Sequence, residues 1–262
     1  MMISTLLCGM AMGGVRSGKA VADWIVESPT CEPGKPLQTA IRMIHDPGWH
    51  SYWINPGEAG LKSTVKWKLP PGWKTGSLGF PVPVRFMTSG LSGFGYEGTV
   101  LLPVTVTPPA DFTGTARLTA VLSWLACGAN GCVPGEAEIH LDLSAGVIKP
   151  TPDLQEILIT CQKLPRPAGK SPRLAVTEKG KSLVLSIEAE TGVALDLDGR
   201  GIFPATPDVI DPRVSIRFGK NGDVWTTEVP KSEYAASPVK RLTLVLAPDK
   251  ENQALELTWS VP

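Results

Sequence analysis

Residues 116–143 read ARLTAVLSWLACGANGCVPGEAEIHLDL. Leu118, Ala120, Leu122 and Trp124 alternate with polar or smaller neighbours, and Ala137, Ile139, Leu141 and Leu143 alternate in the same way beyond the cysteines. A period of two on both flanks marks two half-buried strands. Asn130-Gly131, between them, is a strong short hairpin signal because both residues tolerate positive φ. The segment therefore predicts an antiparallel hairpin with one face turned to a core. Four residues separate Cys127 from Cys132, which puts the cysteines opposite each other where the strands begin. Facing residues lie roughly 4.5–5.5 Å apart at Cα, inside the disulfide window of about 4.4–6.8 Å. As a staple such a bridge is poor. Closing a six-residue loop stabilises by only about 2 kcal/mol, against about 4.7 for a hundred-residue loop. Spacing alone leaves three readings open: a redox pair, a structural bridge, or a metal site short of ligands.

Outward from this hairpin the chain continues as short strands divided by turns. Thr99–Thr107 (TVLLPVTVT) is rich in β-branched residues, with Pro103 pointing to an edge or a bulge. His45-Asp46-Pro47-Gly48, Asn55-Pro56-Gly57 and Leu69-Pro70-Pro71-Gly72 are turn signals. The 27 Gly and 25 Pro suit many strands and turns better than helices. The fold class expected is all-β: a β-sandwich over residues 23–145, then a second, smaller β-sandwich-like domain over 172–262. Residues 146–171 break the alternation. Pro150, Pro152, Pro165 and Pro167 bracket Asp153–Lys163, which has helical spacing and reads as a short helix on a linker. In the second half, strands are expected at Arg173–Thr177, Ser182–Glu188, Val214–Phe218, Val224–Val229, Arg241–Leu246 and Ala254–Val261, with a hairpin turn at Lys179-Gly180.

Charge and composition exclude several classes. Lys+Arg and Asp+Glu are 25 each, so the net charge is zero and the footprint of a nucleic-acid binder is missing. No run of 18 apolar residues could span a membrane as a helix. Three His (His45, His50, His140) leave little room for a Ser-His-Asp scheme. No cofactor or metal is expected; His45 and His50 read as strand-end residues beside Trp49 and Trp53. Residues 3–14 have the length of a signal-peptide core, and Ala20-Val21-Ala22 reads as an A-x-A cleavage site. Residues 1–22 are thus expected to direct export to the periplasm, where disulfides persist.

Three motifs carry a family resemblance. They are His45 through Gly57 (HDPGWHSYWINPG), Gly93 through Gly98 (GFGYEG) with Leu102-Pro103-Val104, and Trp124 through Pro134. In this order they resemble the N-terminal periplasmic domain of DsbD-type thiol:disulfide interchange proteins, particularly the ScsB-like branch, over about residues 28–145. Ile202-Phe203-Pro204 echoes a Phe-Pro motif of the domain that follows in that branch. The resemblance implies an immunoglobulin-like sandwich over residues 23–145 whose cysteine pair relays electrons, with Cys132 contacted by partners and Cys127 resolving. It also implies a cap drawn from Arg85–Tyr96, with Phe86, Met87, Leu91, Phe94 or Tyr96 covering the pair. The implied donor is a thioredoxin-like domain or a membrane electron-donor protein, separate because these 262 residues hold no such segment; the acceptors are oxidised envelope proteins. Links to cytochrome c biogenesis and copper tolerance come from the resemblance alone. The cysteine spacing departs from that of the best-known members.

Two further features are weighed. Cys31 and Cys161 could form a structural disulfide closing a long loop. Gly93–Gly98 formally matches G-x-G-x-x-G, but a dinucleotide site needs a helix after it, and β-rich sequence follows. The alternative to redox chemistry is a non-catalytic envelope binding or adhesion module with structural bridges.

Overall fold

The computed structural model describes residues 13–190, 195–250 and 252–261. The chain is nearly all β, 54% strand and 4% helix. The first domain consists of β1 (Val15–Ser17), β2 (Ala20–Val26), β3 (Thr30–Cys31), β4 (Leu37–His45), β5 (Trp49–Gly57), β6 (Thr64–Lys68), β7 (Lys74–Thr75), β8 (Val84–Thr88), β9 (Leu91–Glu97), β10 (Thr99–Thr107), β11 (Thr115–Gly128) and β12 (Gly131–Ala145). One sheet runs β1-β2-β4-β10-β7. The facing sheet runs β3-β12-β11-β5-β9-β8, with β6 also on β11. The expected alternation is what joins them: Leu118, Ala120 and Leu122 are fully buried against Leu37, Ile41 and Met43 of the opposite sheet. Each leucine, isoleucine or methionine among them contributes roughly 1.5–3 kcal/mol by leaving water.

β11 and β12 pair without a break from Thr115↔Ser144 to Gly128↔Gly131. The tight turn is Ala129-Asn130, one residue earlier than the Asn-Gly signal suggests. The left-handed backbone angle falls on Gly131 (φ 119°), which begins β12. Gly131 thus serves the turn from outside it.

Residues 15–22 form β1, a turn and the start of β2 in the first sheet. Ala20 and Ala22 have no exposure, and β1 pairs along β2. The Trp124 indole N–H donates to the Gly18 carbonyl at 3.2 Å. Gly18 lies so close to Gly135 that an added Cβ would meet its Cα at 2.3 Å. The expected cleavage site therefore sits inside a paired, buried strand, and cutting before Asp23 would remove β1 and the start of β2. Most of the expected signal core, residues 3–12, lies outside the described residues.

The segment after β12 is docked rather than loose. Its helix, α1 (Leu154–Lys163), starts one residue after Asp153 and buries Ile157 among Ile25, Ala40 and Leu101. Glu156 in the first turn and Lys163 in the last complement the helix dipole. Arg42 ties the helix start to the sheet, bonding Asp23 at 2.5 Å and Asp153 at 3.3 Å. Ile157→Ala is expected to cost about 2–5 kcal/mol, measured as a lower urea midpoint with an unchanged slope.

The second domain holds β13 (Arg166–Pro167), β14 (Arg173–Lys179), β15 (Ser182–Glu188), β16 (Ile202–Pro204), β17 (Gly219–Asn221), β18 (Val224–Pro230), β19 (Arg241–Leu246) and β20 (Leu255–Ser260). They form two sheets, β13-β20-β19-β16 and β14-β15-β18-β17, over a core of Leu183, Leu185, Ile187, Leu242, Leu244 and Leu246. β13, in the stretch expected to be linker, pairs in parallel with β20. The turn between β14 and β15 is Gly180-Lys181, with φ 60° on Gly180. The strand expected at Val214–Phe218 is irregular; Ile216 and Phe218 still bury their side chains, so the apolar spacing reflected burial and not pairing.

Candidate functional site

Cys127 and Cys132 face each other at the turn end of the β11–β12 hairpin and form a disulfide, with Cα atoms 4.0 Å apart. Parity decides where they point. The even residues Leu118 through Ala126 of β11 fill the core, so Cys127 and its partner project from the opposite, outer face. On that face the two sulfurs differ. Cys132 is exposed, whereas Cys127 has no exposure, being flanked by β12 on one side and β5 on the other.

The segment expected to cap the pair is a hairpin, not a loop. β8 and β9 pair from Val84↔Gly95 to Thr88↔Leu91, and β9 adds to β5 through His50↔Glu97, Ser51↔Tyr96 and Tyr52↔Gly95. Phe86 lies across β9 with its ring 3.8 Å from that of His50 and 5.7 Å from that of Tyr52. The two glycines that mimicked a nucleotide fingerprint make this possible. A Cβ on Gly93 would meet the Phe86 ring at 2.5 Å, and one on Gly95 would meet it at 3.0 Å. Tyr52, Phe86, Leu91, Gly131 and Cys132 border a crevice of about 80 Å³ beside the exposed sulfur.

Of the five cap candidates, Phe86 and Leu91 thus adjoin the pair. Met87 is 72% exposed, on the face of β8 that Arg85 shares and opposite Phe86. Phe94 and Tyr96 point the other way, into the sandwich: Phe94 is fully buried against Trp53, and the Tyr96 hydroxyl donates to the Pro81 carbonyl at 2.7 Å. Burial drives the Tyr96 phenol well above its ordinary pKa. Strand alternation separates these residues from Phe86, which residue type alone could not do.

Cys31 and Cys161 form no bridge. Cys31 is a free thiol inside the first core, its pKa raised by burial. Cys161 is a half-buried free thiol on α1, 3.8 Å from the Gln38 side-chain oxygen. Both ring nitrogens of His45 are engaged, Nδ1 with the Gly98 carbonyl (2.7 Å) and Nε2 with the Ser51 hydroxyl (2.8 Å). That histidine is a structural cross-link and has no nitrogen left for a metal.

The second domain reaches the cap from behind. Arg85 of β8 donates to the carbonyls of Pro212 and Val214, the latter at 2.8 Å, and its guanidinium lies 4.7 Å over the Phe94 ring. The Ser92 hydroxyl of β9 donates to the same Pro212 carbonyl at 3.0 Å. Alongside, Asn55 donates to the Pro204 carbonyl at 2.7 Å, and Phe203 packs edge-on against Trp53 and Phe94. None of these contacts has a local sequence signal.

An exposed sulfur bonded to a buried one on an immunoglobulin-like sandwich fits the comparisons with known proteins. Residues 21–144 match the family described as thiol:disulfide interchange protein DsbD, N-terminal. This stretch belongs to that family. The crystal structure of the N-terminal periplasmic domain of ScsB from Proteus mirabilis superposes with a TM-score of 0.65 at 20% identity, covering 92% of this chain and 91% of that one. The likeness in fold therefore extends past the DsbD N-terminal domain into the second domain. The sporulation control protein Spo0M from Bacillus subtilis gives a TM-score of 0.25 at 10% identity over 94% of this chain and 91% of that one, too low to indicate a shared fold. No curated protein matches the chain in sequence. Among the described residues no helix is long and apolar enough to cross a membrane.

Proposed function

We propose that this chain works in the periplasm as a thiol:disulfide exchange protein. In this reading the Cys127–Cys132 pair takes reducing equivalents from a thioredoxin-like or membrane-bound donor and passes them to oxidised envelope proteins. The observation that carries the reading is the asymmetry of the bridge: Cys132 is exposed at a sheet end while Cys127 is fully buried. A thiolate can reach only Cys132. Its attack forms a mixed disulfide and releases Cys127, which stays in place to resolve it. Family membership of residues 21–144 supports the same chemistry, and the weakness of a six-residue bridge as a staple argues against a purely structural role.

The test is the reduction potential of the pair, measured in dithiothreitol and glutathione buffers by thiol alkylation and mass. A value of about −200 to −270 mV places it among exchange proteins. A bridge that stays closed until below about −300 mV belongs to a stapled binding module and ends this reading.

A further inference from the structure

The exchange reading leaves one problem unsolved. Cys127 has no solvent exposure, yet as the resolving residue it must lose a proton before its sulfur can attack, because the thiolate is the nucleophile. We propose that His50 is the acceptor of that proton, an inference that rests on the exchange function proposed above. His50 is the register partner of Cys127 across β5 and β11. Facing residues of an antiparallel pair project from the same side of the sheet with Cβ atoms roughly 4.5–5.5 Å apart, which brings an imidazole within reach of the sulfur. The ring is buried at 4% exposure, sandwiched by Phe86 at 3.8 Å, met edge-on by Tyr52 at 5.4 Å, with Nε2 3.4 Å from the Thr88 hydroxyl. The cap therefore covers the base that faces the buried sulfur.

The groups around His50 keep it a base. Burial lowers its pKa below the ordinary value, His45 on β4 lowers it further, and Glu97, its partner on β9, opposes both. Tyr52 on its own strand stays protonated, burial raising its pKa. At neutral pH the imidazole is consequently uncharged and free to accept.

The step balances. The Cys127 S–H bond breaks and its proton moves to an imidazole nitrogen. The Cys127 sulfur bonds to the Cys132 sulfur, and the bond between Cys132 and the partner breaks, the partner sulfur leaving as a thiolate with the electron pair. The two protein thiols are oxidised to the disulfide, the partner disulfide is reduced, and the imidazolium returns its proton to solvent. In the opposite direction the same imidazolium protonates Cys127 as it leaves.

The experiment uses the reduced protein with Cys8→Ser, Cys31→Ala and Cys161→Ser, mixed with an aromatic disulfide that releases a coloured thiolate. Attack by Cys132 releases the first thiolate and resolution by Cys127 the second. General-base catalysis is worth about 10²–10⁴-fold, so His50→Gln is expected to slow the second release at least tenfold at about pH 7 and to leave the first unchanged. Above the ordinary thiol pKa of about 8.5 hydroxide removes the proton without help, and the two proteins should converge. His50→Asn should behave alike. The first release doubles as the check that each variant retains a folded, accessible site. Equal second-phase rates at every pH, or a slowing that persists unchanged at high pH, overturns the role of His50. A wild-type protein that never gives a second release fails the exchange reading instead.

Discussion

Cys127→Ser protein exposed to an oxidised partner is expected to accumulate as a mixed disulfide through Cys132, while Cys132→Ser protein should form none through Cys127. The two sulfurs sit in one bridge, 4.0 Å apart at Cα, so sequence position does not separate their roles. Burial does. With Cys132 gone, the remaining sulfur at Cys127 is as inaccessible as the free thiol of Cys31, both having no exposure, and its alkylation rate should fall to that of Cys31. With Cys127 gone, the exposed sulfur still attacks, but nothing stands behind it to complete the exchange. Intact-protein mass spectrometry after reaction with a disulfide-bonded peptide distinguishes the outcomes. Equal trapping by both variants would mean that the cap does not protect Cys127, and the asymmetry would then carry no function.

A larger change in rate is expected from a methyl group placed at Gly93. Its Cβ would lie 2.5 Å from the Phe86 ring, so the ring must lift. Phe86 makes two aromatic contacts, with His50 and Tyr52, each worth about 0.5–1.5 kcal/mol. Losing both favours the open hairpin by about 1–3 kcal/mol, which corresponds to about 5–150-fold. Gly93→Ala and Phe86→Ala, each placed in reduced Cys132→Ser protein, should therefore both speed alkylation of Cys127 within that range. Gly95→Ala is the contrast. Its Cβ would fall 1.9 Å from the Ser51 carbonyl, which is backbone and cannot step aside, so that variant should lose stability rather than its cap alone. If Gly93→Ala leaves Cys127 no faster to alkylate than it is in the parent protein, Phe86 is packing and not a gate.

The hairpin of residues 116–143 was legible because alternation and turn residues are local properties. Leu118, Leu122 and Ile139 could be placed in the core, and Cys127 opposite Cys132, without any partner strand. The cap was legible only as a segment. Nothing local told Phe86 from Phe94, because which face each occupies depends on β9 adding to β5 in one register. His50 was legible as a strand-end residue and no more, since its neighbour Cys127 is 77 positions away and their meeting is set by strand order. The misplaced strand at Val214–Phe218 has the same origin: alternating burial looks identical whether or not a neighbour supplies hydrogen bonds. Cys31 and Cys161 failed as a pair because each was already committed, one to the sandwich interior and the other to a helix seated on the outside of a sheet.

Arg85 gives the family boundary a practical meaning. The match to the DsbD N-terminal family stops at residue 144, but the hydrogen bonds that steady β8 run on to the carbonyls of Pro212 and Val214. The strand that carries the lid over the sulfurs is thus strung between two bodies, sewn into the first by its ladder and moored to the second by one guanidinium. A fragment cut at the edge of the family would keep both cysteines and set the mooring adrift. Its chemistry would be that of a permanently loosened lid, and a partner that pries the two bodies apart could produce the same state without touching the bridge.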